Sequence, residues 1–213
     1  MVQKPRLFVV DVMPFLYRGY FVFLRNPRIT STGINTSALH GFAASLIPIL
    51  EEQKPTHVAL VLDSEGPSFR HREYPPYKAQ RQKAPEDLKA AIPMAIELGE
   101  ALRLPILRLE GFEADDLMGT LARQGREMGW EVYLVTPDKD VAQLVEDGIF
   151  LVRPGKSGEA LEILGPQEVC SRWGLKDPRQ MVDFLGLAGD ASDNLPGIPG
   201  VGEKTAQALL EKY

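Results

Sequence analysis

An acidic motif places three carboxylates, those of Glu113, Asp115 and Asp116, within four residues. The apolar spacing after it predicts a helix, so the three acids occupy the first helical turn. The candidates for the buried face of that helix are Leu117, Leu121 and Met128. Acids at a helix start also cap it and complement the helix dipole, an effect worth about 0.3–1 kcal/mol each. Capping needs one or two acids, so a third indicates a further role.

Other acids follow short apolar runs that are typical of buried strands. Such runs, separated by helical stretches, predict an α/β fold with a mostly parallel sheet and helices on both faces. Ligands of these sheets collect at the carboxyl ends of the strands, so the acids are expected to converge at one edge. The acids that follow strands are Asp11, Asp63, Asp138 and Asp140. For Asp138, capping of the helix after it is the alternative.

Converging carboxylates need a counter-charge, because two like charges ~4 Å apart repel by about 4 kcal/mol at an effective dielectric of 20. The sequence has no matching cluster of His or Cys, so a hard cation is expected. Oxygen ligands suit Mg²⁺ or Mn²⁺, and two such ions about 3.5–4 Å apart form the clamp of many phosphodiesterases and nucleases. The acids therefore predict a centre for two divalent ions.

Composition limits the class of protein. A chain of 213 residues forms one large or two small domains. Its single cysteine, Cys170, forbids an internal disulfide and provides no metal-ligand spacing. The N-terminal apolar run stops at Asp11, which excludes a signal peptide, and no stretch approaches membrane-spanning length. These features predict a cytoplasmic protein with no membrane partner.

A basic, aromatic segment reverses the expectation from the net charge of −5, which by itself argues against a nucleic-acid partner. Residues 65–83 carry five basic side chains against two acids, interleaved with aromatic residues and prolines. Such a segment neutralises phosphates and stacks on bases, although a solvated surface loop is the alternative. The residues of interest here are Arg70, Tyr74, Tyr77, Lys78, Arg81 and Lys83.

Beyond Gly165 the pattern becomes helical and includes a glycine-rich hairpin. The glycines permit a tight turn whose amides point outward at a helix N-terminus, an arrangement that binds phosphate. Two acids, Asp190 and Asp193, precede this hairpin, which favours binding of a duplex backbone over a turn with no ligand. The hairpin residues assigned to DNA binding are Gly197, Gly200, Gly202, Lys204 and Thr205.

Six motifs occur in order along the chain: F-V-V-D with Y-R, D-S-E-G-P-S-F-R, Y-K-A-Q-R, G-F-E-A-D-D, T-P-D-K-D and G-D-A-S-D-N-L-P-G-I-P-G-V-G-E-K-T-A. Together they span nearly the whole chain. This set resembles the metal-dependent 5′-nucleases of the flap endonuclease superfamily. Within that superfamily it is most similar to the 5′→3′ exonuclease domain at the N-terminus of bacterial DNA polymerase I.

The resemblance implies a PIN-like nuclease core over residues 1–164, with an arch or clamp at about 64–92. It implies a helix-three-turn-helix DNA-binding module over 165–213, with K⁺ at the hairpin and Arg18 as a further DNA contact. Three basic residues are implied near the scissile phosphate: Arg70, Lys78 and Arg81. The implied ligands of the divalent ions are Asp11, Asp63, Glu113, Asp115, Asp116, Asp138, Asp140, Asp190 and Asp193.

The activity that the resemblance implies is two-metal-ion hydrolysis of DNA and RNA-primer phosphodiesters at 5′ flaps and 5′ ends, in replication and repair. The implied partners are DNA with a 5′ flap, nick or 5′ end, and a polymerase domain in cis or in trans. The implied location is the bacterial cytoplasm, in association with the nucleoid. Two alternatives are a catalytically inactive nuclease-like DNA-binding module and a PIN-like ribonuclease.

Two departures from the family pattern are expected to matter. Val12, Met13 and Pro14 follow Asp11 where the family usually has Gly and small polar residues, which is expected to alter backbone approach beside the metals. The sequence ends at Tyr213, near the end of the helix after the hairpin. The DNA-binding module is therefore expected to be incomplete, which would weaken duplex binding more than metal binding.

Overall fold

A central sheet organises the computed structural model, which describes residues 4–155 and 161–213. Its strands are β1 (Arg6–Asp11), β2 (His57–Val61), β3 (Ile106–Leu107), β4 (Glu131–Val135), β5 (Ile149–Arg153) and β6 (Glu162–Leu164). Their order in the sheet is β3-β2-β1-β4-β5-β6. Neighbours are parallel except for β5 and β6, which are antiparallel. The turn that Lys156-Ser157-Gly158 predicts lies outside the described residues.

Helices cover the sheet. They are α1 (Val12–Val22), α2 (Ser37–Glu52), α3 (Phe69–Glu73), α4 (Glu86–Ala101), α5 (Ala114–Glu127), α6 (Pro166–Trp173), α7 (Met181–Ala188) and α8 (Glu203–Lys212). The shorter elements are two 3₁₀ helices, Asp140–Leu144 and Pro178–Gln180, and a two-stranded ribbon of β7 (Gly189–Asp190) and β8 (Leu195–Pro196). Within the described ranges, no helix combines the length and apolar character needed to cross a membrane.

Both faces of the sheet are buried. Successive strand residues point to opposite sides of the sheet, and helices cover both sets of side chains. Phe8 and Val10 of β1 pack in one cluster with residues of α1, α2 and α4. Leu7 and Val9 pack in a second cluster with residues of α5, α6, α7 and α8. Burial on two faces confirms the predicted α/β fold, with a mostly parallel sheet between layers of helices.

The C-terminal helices share the second cluster with the sheet. Val169 of α6, Phe184 of α7 and Ala206 of α8 are each at most 1% exposed and belong to the same core as Leu134 of β4. This shared core ties the helical part to the sheet. The division into 1–164 and 165–213 stays a prediction.

The end of α5 differs from the sequence expectation. Leu117 and Leu121 are partly buried against the core, as predicted, but Met128 is 66% exposed, so its assignment to the buried face is wrong. The helix ends at Glu127, and Met128 is its C-cap before Gly129, whose φ is +78°. The chain turns away at this point, so the helical period no longer determines which side chains face the core.

Candidate active site

The carboxyl edge of the sheet gathers the first group of acids. Asp11 ends β1, Asp63 follows β2 and Asp138 follows β4, and these three strands are adjacent and parallel. Burial raises the pKa of Asp11 well above its ordinary value, and the negative charges of Asp63, Asp115 and Asp138 raise it further. This repulsion among the carboxylates agrees with the prediction that they converge at one edge of the sheet.

Helix α5 brings Asp115 to the same edge. The backbone N–H of Ala114, at the start of α5, donates a 2.8 Å hydrogen bond to Oδ1 of Asp63. The helix N-terminus is thereby fixed to the end of β2. Burial raises the pKa of Asp115 to about 6, and the neighbouring charge of Glu113 contributes to the rise. Asp115 therefore holds its negative charge at an energetic cost at neutral pH.

A second group of acids surrounds Asp140. Burial raises its pKa to about 7, together with the charges of Asp138, Asp190 and Asp193. Within the described part of the chain, Oδ1 of Asp140 is buried without a hydrogen-bond partner. Asp138 also accepts a 3.0 Å hydrogen bond from the backbone N–H of Asp140, but the N-cap of the following 3₁₀ helix is Lys139, so Asp138 is not its capping residue. A bound cation would give this unpaired oxygen of Asp140 a partner.

Glu113 is already paired with protein groups. Its carboxylate accepts hydrogen bonds from Oγ of Ser68 at 2.6 Å, the hydroxyl of Tyr77 at 2.8 Å and Nζ of Lys78 at 2.7 Å. Burial alone would raise the pKa of Glu113, but the hydrogen bonds from Lys78 and Ser68 outweigh it and the pKa is lowered. In this arrangement Glu113 positions Lys78 beside the acids.

Asp116 is held by Arg70 through two parallel hydrogen bonds of 2.8 Å. It also accepts the backbone N–H of Glu113 at 2.9 Å, which completes a capping box at the start of α5. Burial opposes ionisation, but the bonds from Arg70 hold the pKa of Asp116 below its ordinary value. The helix-capping alternative thus applies to Asp116, whose role as a metal ligand stays a prediction.

The basic segment lies against the loop between β7 and β8. Lys78 donates its backbone N–H to the carbonyl of Asp193 at 2.9 Å, and Nη2 of Arg81 lies 2.6 Å from Oδ1 of Asp193. Asn194 and Gln80 add side-chain bonds across the same contact. At the end of β7, just before this loop, Asp190 is paired with Lys139 at 3.2 Å. Arg81 of the segment therefore pairs with an acid of the second group, whereas Arg70 and Lys78 pair with acids at the start of α5.

The base stacking predicted for Tyr77 is wrong for this arrangement. Its side chain is 5% exposed, and its hydroxyl is bound to Glu113. A buried ring offers no face to a nucleobase. Tyr74 is 36% exposed and Lys83 is exposed, so both remain candidates, while Arg18 is exposed and donates to the carbonyl of Gly155. The segment has no regular period, so the sequence could not show which tyrosine points inward.

Among the hairpin glycines, Gly197 is required by close packing, and its contact with DNA stays a prediction. A Cβ at Gly197 would lie 2.4 Å from the backbone carbon of Ala188, so only glycine allows this close approach. Gly200, with a φ of +83°, and Gly202 both face open space. Gly202 is the N-cap of α8, and the next residues include exposed Lys204 and Thr205. Phosphate binding by the hairpin amides stays a prediction.

Sequence reasoning missed three supporting residues. Thr136 is fully buried and lies 3.1 Å from Oδ2 of Asp11, Ser68 holds Glu113, and Lys139 pairs with Asp190. All three belong to the motifs D-S-E-G-P-S-F-R and T-P-D-K-D, so membership of a motif was the available signal. Val12, the departure after Asp11, begins α1 and is 1% exposed in the core.

Two clefts open on the acids. One of 330 Å³ is lined by Asp115, Asp140, Arg70 and Arg123 among others, and a second of 480 Å³ shares the same two acids. In the described ranges, no three Asp, Glu, His or Cys side chains lie close enough to hold an ion as they stand. The chemistry of the donors, all carboxylates, and the unpaired oxygen of Asp140 nevertheless fit a hard cation.

Two protein-family models match the chain. Residues 6–174 match the model described as "5′-3′ exonuclease, N-terminal resolvase-like domain", and residues 176–213 match "5′-3′ exonuclease, C-terminal SAM fold". DNA polymerase I of Mycobacterium tuberculosis is 41% identical over 210 residues, which are 99% of this chain and 23% of that protein. The 5′-3′ exonuclease of Aquifex aeolicus is 36% identical over 207 residues, which are 97% of this chain and 69% of that protein.

Solved structures show the same fold. T5 5′-exonuclease with bound zinc superimposes with a TM-score of 0.80 at 18% identity, over 98% of this chain and 75% of that one. The catalytic core of Rad2 in complex with DNA gives a TM-score of 0.63 at 17% identity, over 99% and 62% of the two chains. The chain spans about a quarter of the length of the polymerase relatives it matches. With both family models matched in sequence order, the chain belongs to the 5′-3′ exonuclease family.

Proposed function

We propose that this chain hydrolyses phosphodiester bonds of DNA and RNA primers, as a 5′→3′ exonuclease and 5′-flap endonuclease in replication and repair. The observation that carries this proposal is the convergence of Asp11, Asp115 and Asp140 with raised pKa values at one sheet edge, opposite Arg70 and Lys78. Perturbed acids in a cleft are typical of a functional site. The proposed location for this activity is the bacterial cytoplasm, at the nucleoid.

The proposed cofactor is a pair of divalent ions, Mg²⁺ or Mn²⁺, with K⁺ at the hairpin. When bound, the divalent ions supply the positive charge that activates water and stabilises the leaving oxygen. The raised pKa values show which carboxylates gain most from that charge when ionised, namely Asp11, Asp115 and Asp140. The full set of proposed ligands is Asp11, Asp63, Glu113, Asp115, Asp116, Asp138, Asp140, Asp190 and Asp193.

The basic residues have a separate proposed role, which is to hold the scissile phosphate. Lys78 and Arg70 lie 2.7 Å and 2.8 Å from the carboxylates of Glu113 and Asp116, so a phosphate at this edge comes within their reach. An ammonium and a planar guanidinium form strong, charge-assisted bonds to phosphate oxygens. These bonds orient the phosphate and offset the charge that grows on it during cleavage.

Duplex DNA is the proposed partner of the hairpin. Gly200 and Gly202 leave the backbone open at the N-terminus of α8, where Lys204 and Thr205 are exposed. Free amides and a positive helix end suit a DNA backbone phosphate. A polymerase domain, in cis or in trans, is the further proposed partner, because DNA polymerase I relatives match this chain over part of their length.

Cleavage of a 5′-labelled DNA flap tests the proposal. With Mg²⁺ or Mn²⁺, the protein is expected to cut near the flap junction, and EDTA is expected to stop cleavage. Asp115→Asn removes one negative charge from the acid cluster and is expected to lower the rate by at least about a hundredfold, within the range of catalytic electrostatic effects. Glu51→Gln, which changes an exposed acid on α2, is the charge-matched control and keeps the wild-type rate.

Two alternatives predict other results in the same assay. An inactive DNA-binding module binds the flap but does not cut it with either metal. A PIN-like ribonuclease cuts an RNA hairpin and leaves the DNA flap intact. Cleavage by Asp115→Asn at the wild-type rate would also contradict the proposed metal site.

A further inference from the structure

The 330 Å³ cleft leads away from the acids along helix α5. Its lining extends from Asp115 and Asp116, in the first turn of that helix, to Arg123, two turns later. Asp116, Thr120 and Arg123 line the cleft together, because residues three and four positions apart lie on one face of a helix. The cleft is therefore a groove, the α5 groove, that connects the acid cluster to a cation on the same helix.

The side chain of Arg123 is only weakly held. It is 80% exposed, and its ion partner among the described residues is Glu127 of the next turn, at 3.7 Å. That carboxylate is itself 69% exposed. Exposed ion pairs of this kind contribute little, so Arg123 can exchange Glu127 for another anion at small cost.

Other polar groups of the α5 groove are already engaged. Oγ1 of Thr120 donates a 2.8 Å hydrogen bond to the carbonyl of Asp116, and Nε2 of Gln143 donates one of 2.8 Å to the carbonyl of Asp140. At the near end of the groove, Arg70 is bound to the carboxylate of Asp116. A ligand in the groove therefore meets its most available positive charge at Arg123.

The distance of Arg123 from the acids favours an anionic ligand there. Seven residues of α-helix, from Asp116 to Arg123, rise roughly 10 Å. Charges separated by more than the Debye length, about 8 Å at physiological ionic strength, are largely screened in solvent. The acids therefore repel an anion at Arg123 only weakly. A guanidinium matches the geometry of phosphate and binds it through charge-assisted hydrogen bonds.

The two clefts give a nucleic-acid strand a direction. Arg70 lines both of them. The 480 Å³ cleft extends to α7 and β8, and β8 leads directly into the hairpin that is the proposed site for duplex DNA. The α5 groove extends from Arg70 to α5 instead. A strand that comes from the hairpin side and presents a phosphate at Arg70 therefore continues into the α5 groove.

We propose that Arg123 binds a backbone phosphate of the 5′ single strand, beyond the bond that is cut. The proposal rests on the proposed nuclease function, because it takes the scissile phosphate to lie at Arg70. A stacked strand rises about 3.4 Å per nucleotide, so the roughly 10 Å from the acids to Arg123 spans about three nucleotides. The contact involves charge and no base edge, so it holds the released strand whatever its sequence.

Flaps with one neutral methylphosphonate test the proposal, placed in turn at each of the three phosphates on the 5′ side of the cut. Binding is measured by fluorescence anisotropy with Ca²⁺ in place of Mg²⁺. The wild type is expected to bind one of these flaps about three- to fivefold more weakly than the unmodified flap, as for one exposed charge pair. Arg123→Gln is expected to bind the unmodified flap more weakly by the same factor and to lose nothing further on that modified flap.

Arg123→Lys, which keeps the charge, is expected to retain most of the affinity. Arg123→Gln that weakens binding of the unmodified flap and of all three modified flaps by the same factor overturns the proposal. Arg123→Gln that binds every flap like the wild type also overturns it.

The salt dependence of flap binding supplies the second test. Each phosphate contact on a single strand contributes about 0.7 to the slope of log affinity against log salt concentration. Arg123→Gln is expected to reduce the slope by about that amount, and Arg123→Lys is expected to keep it. Arg103→Gln removes the same charge from an exposed arginine between α4 and β3, at the amino end of the strand, and is the matched control. An equal reduction of the slope in the Arg103 and Arg123 variants overturns the proposal.

The outcomes separate this proposal from the proposed function. A loss at one methylphosphonate position that depends on Arg123, without cleavage in Mg²⁺ or Mn²⁺, supports the phosphate contact and removes the nuclease activity. Metal-dependent cleavage with no such position keeps the activity and removes the contact.

Discussion

Asp140 shows how a single residue reports on the site. Its pKa is raised to about 7 by burial and by three neighbouring carboxylates, and one of its oxygens has no partner among the described residues. At pH 8 without divalent ions, its charge is therefore unfavourable in the folded protein. Charges in such a cluster are retained where a ligand needs them, at the expense of stability.

Replacing this charge gives the first prediction. Asp140→Asn in EDTA at pH 8 is expected to raise the free energy of unfolding by about 1–2 kcal/mol, allowing for solvent screening of a partly exposed group. In Mg²⁺ the variant is expected to gain less stability than the wild type. Urea denaturation measures both effects, with Glu51→Gln as the control. A variant that is less stable than the wild type in EDTA would contradict the assignment.

Tyr77 gives a second residue-scale prediction. Its hydroxyl donates to the ionised carboxylate of Glu113, and bonds to charged groups contribute roughly 1.5–3 kcal/mol. Tyr77→Phe is expected to lower the free energy of unfolding by about that amount in chemical denaturation. Tyr74→Phe removes a hydroxyl that has no protein partner in the described chain and is expected to change stability little. Equal effects of the two substitutions would show that the bond to Glu113 is unimportant.

At the scale of elements, the contact of α1 with α2 depends on two glycines. A Cβ at Gly41 of α2 would lie 2.3 Å from the Cα of Gly19 in α1, which no side chain can tolerate without movement of a backbone. α1 begins directly after Asp11, so this contact holds the helix that follows the first acid. Close packing of these helices therefore supports the geometry of the site.

Substitution of Gly41 gives a third prediction. Gly41→Ala raises helix propensity by about 1 kcal/mol, but overpacking typically costs 1–3 kcal/mol and is expected to exceed that gain here. A lower melting temperature is the expected result. Gly119→Ala in α5 is the matched control, because its Cβ would meet only the Leu144 methyl groups at 3.6 Å. A stabilised Gly41→Ala would show that the two helices can separate easily.

The sequence predicted elements better than it predicted side-chain environments. Strands and helices follow local patterns of apolar residues, so the strand before Asp11 and the helix after Glu113 were predictable. The inward turn of Tyr77 depends on Glu113, 36 positions away, and the packing of Gly197 depends on the backbone of Ala188. Such contacts are set by the folded chain, and no local period encodes them.

The acids were predictable as a group, but their partners were not. Each follows a strand or opens a helix, which a one-dimensional pattern can show. The pairing of Asp116 with Arg70 and of Glu113 with Lys78 joins segments that only the fold brings together. The sequence therefore predicted where negative charge collects, and the structure shows which charges are already compensated.

At the scale of the whole molecule, the acids predict an unusual dependence of stability on pH. Asp115 and Asp140 have raised pKa values of about 6 and about 7, so the folded protein holds protons that the unfolded chain releases. Their contribution to the free energy of unfolding is fully present below their ordinary pKa values near 4, and it is lost as the pH rises toward 7. Glu113 and Asp116, with lowered pKa values, contribute above pH 4 and lose that contribution in acid.

The fourth prediction follows from these opposite signs. In EDTA, the melting temperature is expected to peak near pH 5 and to fall toward pH 8, and Mg²⁺ is expected to reverse the fall above about pH 6. Thermal melts from pH 4 to pH 8, with and without Mg²⁺, measure this. A melting temperature that rises steadily to pH 8 in EDTA would contradict the repulsion among the acids.

The central claim is that the acids at the sheet edge form a centre for two divalent ions. The most direct measurement is the number of Mn²⁺ ions bound per chain at pH 7.5, from the electron paramagnetic resonance signal of free Mn²⁺. Two ions are expected for the wild type and for Glu51→Gln, and weaker or fewer ions for Asp115→Asn and Asp140→Asn. No Mn²⁺ binding, or binding unchanged in both Asn variants, would contradict the claim.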